Sequence, residues 1–540
     1  MERDNKNILG FCFKKGIIVD NQTFNLFEDV NDEDSIKFLL ERIKNNTGQK
    51  FINKDVLKKN KEKIKRFLLE LSKEKQQEFD IFKNKIGLDN NERESKKENI
   101  TKKNKKDQNK KISGRVNLGS RPDFPNKQLG VKDFVNYFKS RHKELKNILQ
   151  EHAELDNLVS INRLSGNTQG VSLIGIVSDK KVTKNKNILL QVEDLTGSIR
   201  VLINQNKPEL YKKAEEISLD SVLGFKGSGN KEIIFANEIV FPEARLPEKK
   251  KSPIEEYALF IGDLHFGSKL FLKKSFENFI YYLSEDNPDS HDPNNKVSKI
   301  KYLVLIGDII TGVGNYPDQE KDLEIKDLEK QFLEFSKYLE KIRKDIKIIA
   351  FPGNHDCVRL MEPQPVFDEK FAWPLFQLEN IIISENPARF NIGATKDFSG
   401  FDVLGYHGFS FPYYANNIPS LIEKDAMNAP AEIMKYLLKN RHLAPAHTST
   451  QYYPSEEDPL LIKKIPDIFV SGHTHKAHIE NYNNISLISV SCWEAMTSYQ
   501  EKMGNKPDHC KVPMFNLKKG NIRILDFEDK EESEEKKLAR

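Results

Sequence analysis

Cysteine is scarce in this chain of 540 residues: there are four, Cys12, Cys357, Cys492 and Cys510, and no two stand in C-x-x-C spacing. That argues against a zinc ribbon, leaves no disulfide framework and fits a reducing compartment. Long apolar runs are also missing. None approaches the ~20 residues that cross a bilayer, and Met1-Glu2-Arg3-Asp4-Asn5-Lys6 leads into no signal-type apolar core. The expectation is a soluble, cytoplasmic protein without membrane contact. Apolar residues are thin at 38% while charged ones reach 31%, so some segment should remain unpacked. Net charge is only +5, and the many lysines accompany an equally general excess of Asn and Ile. Bulk basicity therefore says little about nucleic acid, whereas contiguous lysines would release counterions from a phosphate backbone.

What is present divides into segments, and the length exceeds what one core supports. Ile36, Leu39, Leu40 and Ile43, then Ile64, Phe67, Leu68 and Leu71, recur at helical spacing, so residues 1–86 read as a small helical module. In residues 87–126 the apolar pattern collapses and Lys96, Lys97, Lys102, Lys103, Lys105, Lys106, Lys110 and Lys111 dominate, which reads as a disordered basic linker. A connecting helix is expected within residues 127–155, with Phe134, Phe138, Leu145 and Ile148 along one face. Residues 156–247 alternate short apolar runs with turn signals such as Asp194-Leu195-Thr196-Gly197, and a helical stretch from Lys207 to Glu216 precedes the last two runs. Five strands and one helix in that order fit a five-stranded oligonucleotide-binding (OB) barrel, although its strands are poor in aromatic platforms. Strand and helix patterns then alternate through residues 254–530, and residues 531–540 are a charged tail. The fold class is multidomain α+β.

The chemistry-bearing residues all lie in residues 254–530. An apolar run at Tyr257–Ile261 ends in Gly262-Asp263-Leu264-His265, and another at Tyr302–Ile306 ends in Gly307-Asp308. Ile346–Phe351 runs into Pro352-Gly353-Asn354-His355-Asp356, Phe401–Tyr406 ends at His407, and Ile468–Ser471 leads to Gly472-His473-Thr474-His475. Polar groups at the carboxyl ends of strands mark a site, and glycine beside each lets the backbone turn sharply. His442, His447, His478 and His509 have no such framing and read as ordinary histidines.

In the order D-x-H, GD, GNHD, H and GHxH, these motifs resemble the calcineurin-like metallophosphoesterases over about residues 257–527. The resemblance implies an α/β sandwich flanked by helices, in which Asp263, His265 and His475 hold one metal, Asn354, His407 and His473 hold another, and Asp308 bridges them. Two divalent ions polarise a phosphodiester for attack, and mixed imidazole and carboxylate ligands favour Mn2+, with Fe or Zn as alternatives. His355 resembles the histidine that protonates the leaving oxygen, with Asp356 placed to orient it. One position departs from the pattern: Thr311 stands where many relatives carry a second Asp, so altered support is expected there.

Flanking sequence narrows the substrate. Pro352-Gly353-Asn354-His355-Asp356-Cys357-Val358-Arg359 with Glu362-Pro363-Gln364-Pro365, Tyr406-His407-Gly408, and Arg441-His442-Leu443-Ala444-Pro445 resemble the small subunits of archaeal family D DNA polymerases. That resemblance implies a 3′-to-5′ proofreading exonuclease acting on single-stranded or frayed 3′ ends of DNA, joined to a large polymerase subunit. A non-catalytic accessory subunit and a free-standing repair nuclease stay open as alternatives.

Overall fold

A computed structural model describes residues 128–538 continuously, residues 115–119, and part of the stretch from 8 to 79, including 14–19 and 33–47. The lysine-rich stretch, together with Phe67 and Leu71, lies outside the described residues. The chain forms two compact units, Met1–Lys111 and Ile112–Arg540.

In the first unit the helix Glu33–Thr47 opens on Glu33 and Asp34 and carries Lys44 in its last turn, the charge order that the helix dipole favours. Its expected apolar face, Ile36, Leu39, Leu40 and Ile43, is buried together with Ile64 and Leu68. Helices are not the whole of it. Strand β1 (Ile18–Val19) pairs in parallel with β2 (Phe51–Ile52), and a two-residue strand is too short to show any period in sequence.

The second unit begins with a correction. Residues 115–118, expected to belong to the linker, form strand β3 (Arg115–Leu118), antiparallel to a strand more than 270 residues later. Val116 and Leu118 alternate inward, but four residues with a distant partner leave no local signal. The helix Val131–Leu149 follows. Its buried residues are Tyr137, Arg141, His142, Leu145 and Leu149; of the expected face Leu145 is buried and Phe138 and Ile148 pack half-buried against neighbouring cores, while the helix's own Arg141 guanidinium is buried beside them.

Five strands close into a barrel: β4 (Thr168–Val182), β5 (Ile188–Asp194), β6 (Gly197–Ile203), β7 (Val222–Gly229) and β8 (Ile233–Val240), in the order β4-β5-β6-β8-β7. β4, at 15 residues, is longer than the short apolar runs of this segment suggest. Its first part pairs with β7 and its second with β5, with an irregularity at Val177–Asp179 that lets one strand serve both neighbours. Alternation places Ile188, Leu190 and Val192 of β5 in the core. At the β5–β6 turn the Asp194 carboxylate accepts from the backbone N–H of Thr196 (2.7 Å) and Gly197 (3.0 Å), which is why that tetrapeptide turns. The helix Pro208–Glu215 lies between β6 and β7.

The remainder is built of two six-stranded sheets. One has the order β12-β11-β10-β9-β18-β19, from β9 (Tyr257–Ile261), β10 (Ile300–Ile306), β11 (Lys347–Phe351), β12 (Ile381–Ile383), β18 (Lys511–Asn516) and β19 (Ile522–Asp526). The other has the order β16-β17-β15-β14-β13-β3, adding β13 (Ala388–Ala394), β14 (Phe401–Tyr406), β15 (Ile468–Ser471), β16 (His478–Tyr482) and β17 (Ile485–Ser489). Phe260, Val304 and Phe351 of the first meet Phe390, Val403 and Val470 of the second in one shared core. Helices Lys273–Leu283, Leu328–Glu340 and Glu369–Phe376 cover the outer face of the first sheet, and Phe411–Asn417 and Pro430–Asn440 that of the second. Strands covered on both faces read as continuous apolar runs, as β9 and β10 do. β9, β10 and β11 are mutually parallel, as are β14 and β15, so their carboxyl ends gather.

The charged tail is also corrected. Residues Lys530–Leu538 are helical, and Glu532, only 4% exposed, accepts from the backbone N–H groups of Lys274 (2.8 Å) and Ser275 (3.0 Å). The carboxylate thus caps the first turn of the helix Lys273–Leu283.

Candidate metal centre

The carboxyl ends of β9, β10, β11, β14 and β15 bring all seven expected ligand residues together. Nitrogen and oxygen donors lie within 4.8 Å of one another in each of three groups: Asp263, His265 and His475; Asp308, His407 and His473; and His265, Asp308 and His355. Asn354 joins the second group through its Oδ1, 3.1 Å from His407 Nε2. Asp308 and His265 each belong to two groups, which makes the constellation continuous.

The local backbone explains why the motifs look as they do. Asp263, His265, Asp308, His473 and His475 have φ of 49°, 47°, 47°, 67° and 57°, a left-handed conformation that costs non-glycine residues free energy and that collects at functional sites. Close approach does the rest. A Cβ on Gly353 would sit 2.3 Å from Asp308 Oδ1, and one on Gly472 would sit 2.6 Å from Asp263 Oδ2.

Neighbouring groups fix each ring. His407 Nδ1–H donates to Ile306 O at 3.0 Å, leaving Nε2 to face Asp308 Oδ2 at 3.1 Å. His265 and His475 approach through their Nε2 atoms at 3.1 Å, and the Gln500 amide lies 2.8 Å from His475 Nδ1. The N–H of His473 donates to the Asp263 carboxylate at 3.0 Å, and that of His355 to Asp308 Oδ1 at 2.7 Å. The Thr311 hydroxyl donates to His265 O at 2.6 Å, and its backbone carbonyl accepts from His355 Nδ1 at 3.1 Å. Asp356 does not orient His355. Its two oxygens accept instead from the N–H of Ile310 (3.0 Å) and of Gly353 (2.7 Å), tying the loops after β10 and β11 together.

Electrostatics suit a cation. Burial pushes His265 well down and His473 and His475 to about 3, so all three present neutral imidazole lone pairs. Burial and the neighbouring Asp308 push the Asp263 carboxyl well up, although His407 opposes the rise. Burial acts upward on Asp308 too, but His407 and His355 outweigh it and hold its carboxyl well below the usual range. His407 is the exception: burial acts downward on it, but the Asp308 and Asp263 carboxylates outweigh that and raise it to about 10. Carboxylates and imidazoles together are the donor set that a divalent transition metal takes.

Sequence reasoning missed the supports. Gln500, Asn315 (its amide donating to Thr311 O at 2.9 Å) and the buried pair Asn386–Gln364 hold the site, with Asn386 Oδ1 accepting from His407 N–H at 3.0 Å. Their one signal was Gln364's place in the Glu362-Pro363-Gln364-Pro365 segment. The Arg441–Pro445 segment lies elsewhere. Its His442 is buried against Asp458 at 2.8 Å, and Asp458 also accepts from Arg141 Nε at 2.7 Å.

Comparison with known proteins adds the following. Residues 258–480 match the family of B-type subunits of DNA polymerases alpha and epsilon. The chain is 34% identical to the DNA polymerase II small subunit of Methanothermobacter thermautotrophicus over 74% of this chain and 80% of that one. It is also 34% identical to the protein of the same name from Pyrococcus furiosus, over 74% of this chain and 64% of that one. Among solved structures, an archaeal phosphodiesterase matches 50% of this chain and 98% of its own at 14% identity, with a TM-score of 0.24.

Proposed function

Because the chain belongs to the DNA polymerase II small-subunit family, we propose that it carries a two-metal phosphodiesterase, acting as a 3′-to-5′ exonuclease within a heteromeric DNA polymerase. The observation that supports this most is the convergence of seven buried or half-buried donors from five strand ends. Asp263, His265 and His475 would hold one divalent ion, Asn354, His407 and His473 a second, and Asp308 both, with Mn2+ suited to the donor set. When bound, the ions supply Lewis-acid charge to a phosphodiester.

This chain's residues do the rest. His407, anchored on Ile306 O, keeps its Nε2 facing Asp308 and Asn354. His355, whose Nδ1–H is taken by Thr311 O, keeps Nε2 free, and as the imidazolium it would give the Nε2 proton to the leaving 3′ oxygen and return to the neutral ring. The barrel, read as an OB type, suits single strands but carries few stacking aromatics. A large polymerase subunit would then bring the frayed primer end to the site, and tethering raises effective concentration without new contacts.

A second reading, a non-catalytic accessory subunit, is favoured by the match to the DNA polymerase alpha and epsilon family over residues 258–480. Mn2+-dependent release of nucleotides from single-stranded DNA by the purified chain separates the two: release abolished in Asp308→Asn supports the nuclease, and no release by the unaltered chain supports the accessory role.

A further inference from the structure

Large apolar side chains left in water need a reason when they gather around one site. Tyr316 is 44% exposed, Leu360 48%, Tyr499 69% and Met503 60%. Tyr316 and Leu360 lie in the loops after β10 and β11, and Tyr499 and Met503 in and at the end of the short helix Ser498–Lys502. Asn315, the neighbour of Tyr316, donates to Thr311 O, the carbonyl that also takes His355 Nδ1–H, and Gln500, the neighbour of Tyr499, holds His475 Nδ1. A third ring, half-buried Phe409, lies 5.7 Å from the ring of His473. Tyr316 is fixed as well as exposed, its hydroxyl donating to Asp322 at 2.9 Å. By contrast, among the described residues of the barrel only Phe235 is an exposed aromatic.

We propose that Tyr316, Phe409 and Tyr499 form a stacking platform for the unpaired nucleobases that flank the scissile phosphodiester, so that this rim, and not the barrel, distinguishes a frayed end from a paired one. This rests on the phosphodiesterase reading. A phosphodiester held at the cluster brings its two nucleosides to this rim, and flat rings bind every base through its π face without reading sequence. A paired end keeps its bases in the duplex stack and gains nothing from the rim.

The test compares binding of two single-stranded oligonucleotides of equal length and charge, one oligo-dT and one abasic, to the full chain in EDTA. The unaltered chain should prefer the base-bearing strand. Tyr499→Ala and Tyr316→Ala should each reduce that preference by on the order of ten-fold, the loss expected for one platform, while Tyr499→Phe retains it. Equal binding of the two strands by the unaltered chain would overturn the proposal. So would Ala variants that keep the preference but fail to assemble with the large subunit, since the rim would then be a protein interface. A parallel hydrolysis assay in Mn2+ separates the two claims: base preference without hydrolysis supports the platform and rejects the phosphodiesterase.

Discussion

Asp308 connects the His407–His473 group to the His265–His355 group, and its role can be isolated at the scale of one atom. Asp308→Asn keeps the side chain's size, and asparagine tolerates the left-handed backbone at φ 47°. Mn2+-dependent hydrolysis should fall to background and bound metal should drop, with the melting temperature within about 5 °C of the unaltered protein. His355→Ala tests a different role. Hydrolysis should slow by about 10² to 10⁴ with both metals retained; metal content that falls in step with the rate would make His355 a ligand. These residues were legible because a polar side chain after an apolar run, with glycine beside it, is what a strand end at a site requires. Gln500, Asn315 and Asn386 were not, because an amide that reaches the site from a distant segment has no spacing that marks it. Asp356 was read in the wrong direction for a similar reason: adjacency to His355 in sequence does not say which loop its carboxylate ties.

At the scale of elements, the helix Lys530–Leu538 shows how composition can mislead. Its sequence is nearly all charge, yet Glu532 is buried and satisfies two backbone donors and the Ser275 hydroxyl. Hydrogen bonds to a charged acceptor are worth about 1.5–3 kcal/mol, so Glu532→Ala should lower unfolding free energy by roughly 2 kcal/mol, measured by urea denaturation. A loss below about 0.5 kcal/mol would return the helix to a mere tail. Element existence was legible wherever a run was long or buried on both faces, as for β9, β10 and the five barrel strands. β3 and the β1–β2 pair were not, since short strands are defined by distant partners. On Val131–Leu149 the packing of Phe138, Leu145 and Ile148 was legible, but the burial of Arg141 was not, because apolar periodicity does not anticipate a buried arginine.

Across the second unit, that arginine joins the barrel to the sandwich. Leu145 and Leu149 pack with Val222 and Val240 of the barrel strands, while Arg141 pairs with Asp458 and donates to Pro445 O at 2.7 Å. His442 completes the junction. Burial and the Arg141 charge lower it from 6.5 to about 4 although Asp458 pulls it upward, so it folds neutral. The unfolded chain binds more protons between those values, and stability therefore falls as pH drops from 6.5 to 4, by up to about 3 kcal/mol from this group. The depressed Asp458 acts in the same sense at lower pH. His442→Gln should flatten the slope of stability against pH in that window, and an unchanged slope would place the acid sensitivity elsewhere.

A single comparison tests the central claim, that this chain holds a metal-dependent nuclease which a large partner directs to frayed 3′ ends. The purified chain alone and its complex with the large subunit are each given Mn2+, at one fixed salt concentration, because phosphate contacts depend steeply on salt. The substrates are a mismatched and a matched primer end. Slow release from the mismatched end by the chain alone, faster release by the complex with the matched end spared, and none from either preparation carrying Asp308→Asn is the expected result. Full-rate digestion of both ends by the isolated chain, or undiminished release with Asp308→Asn, would contradict it.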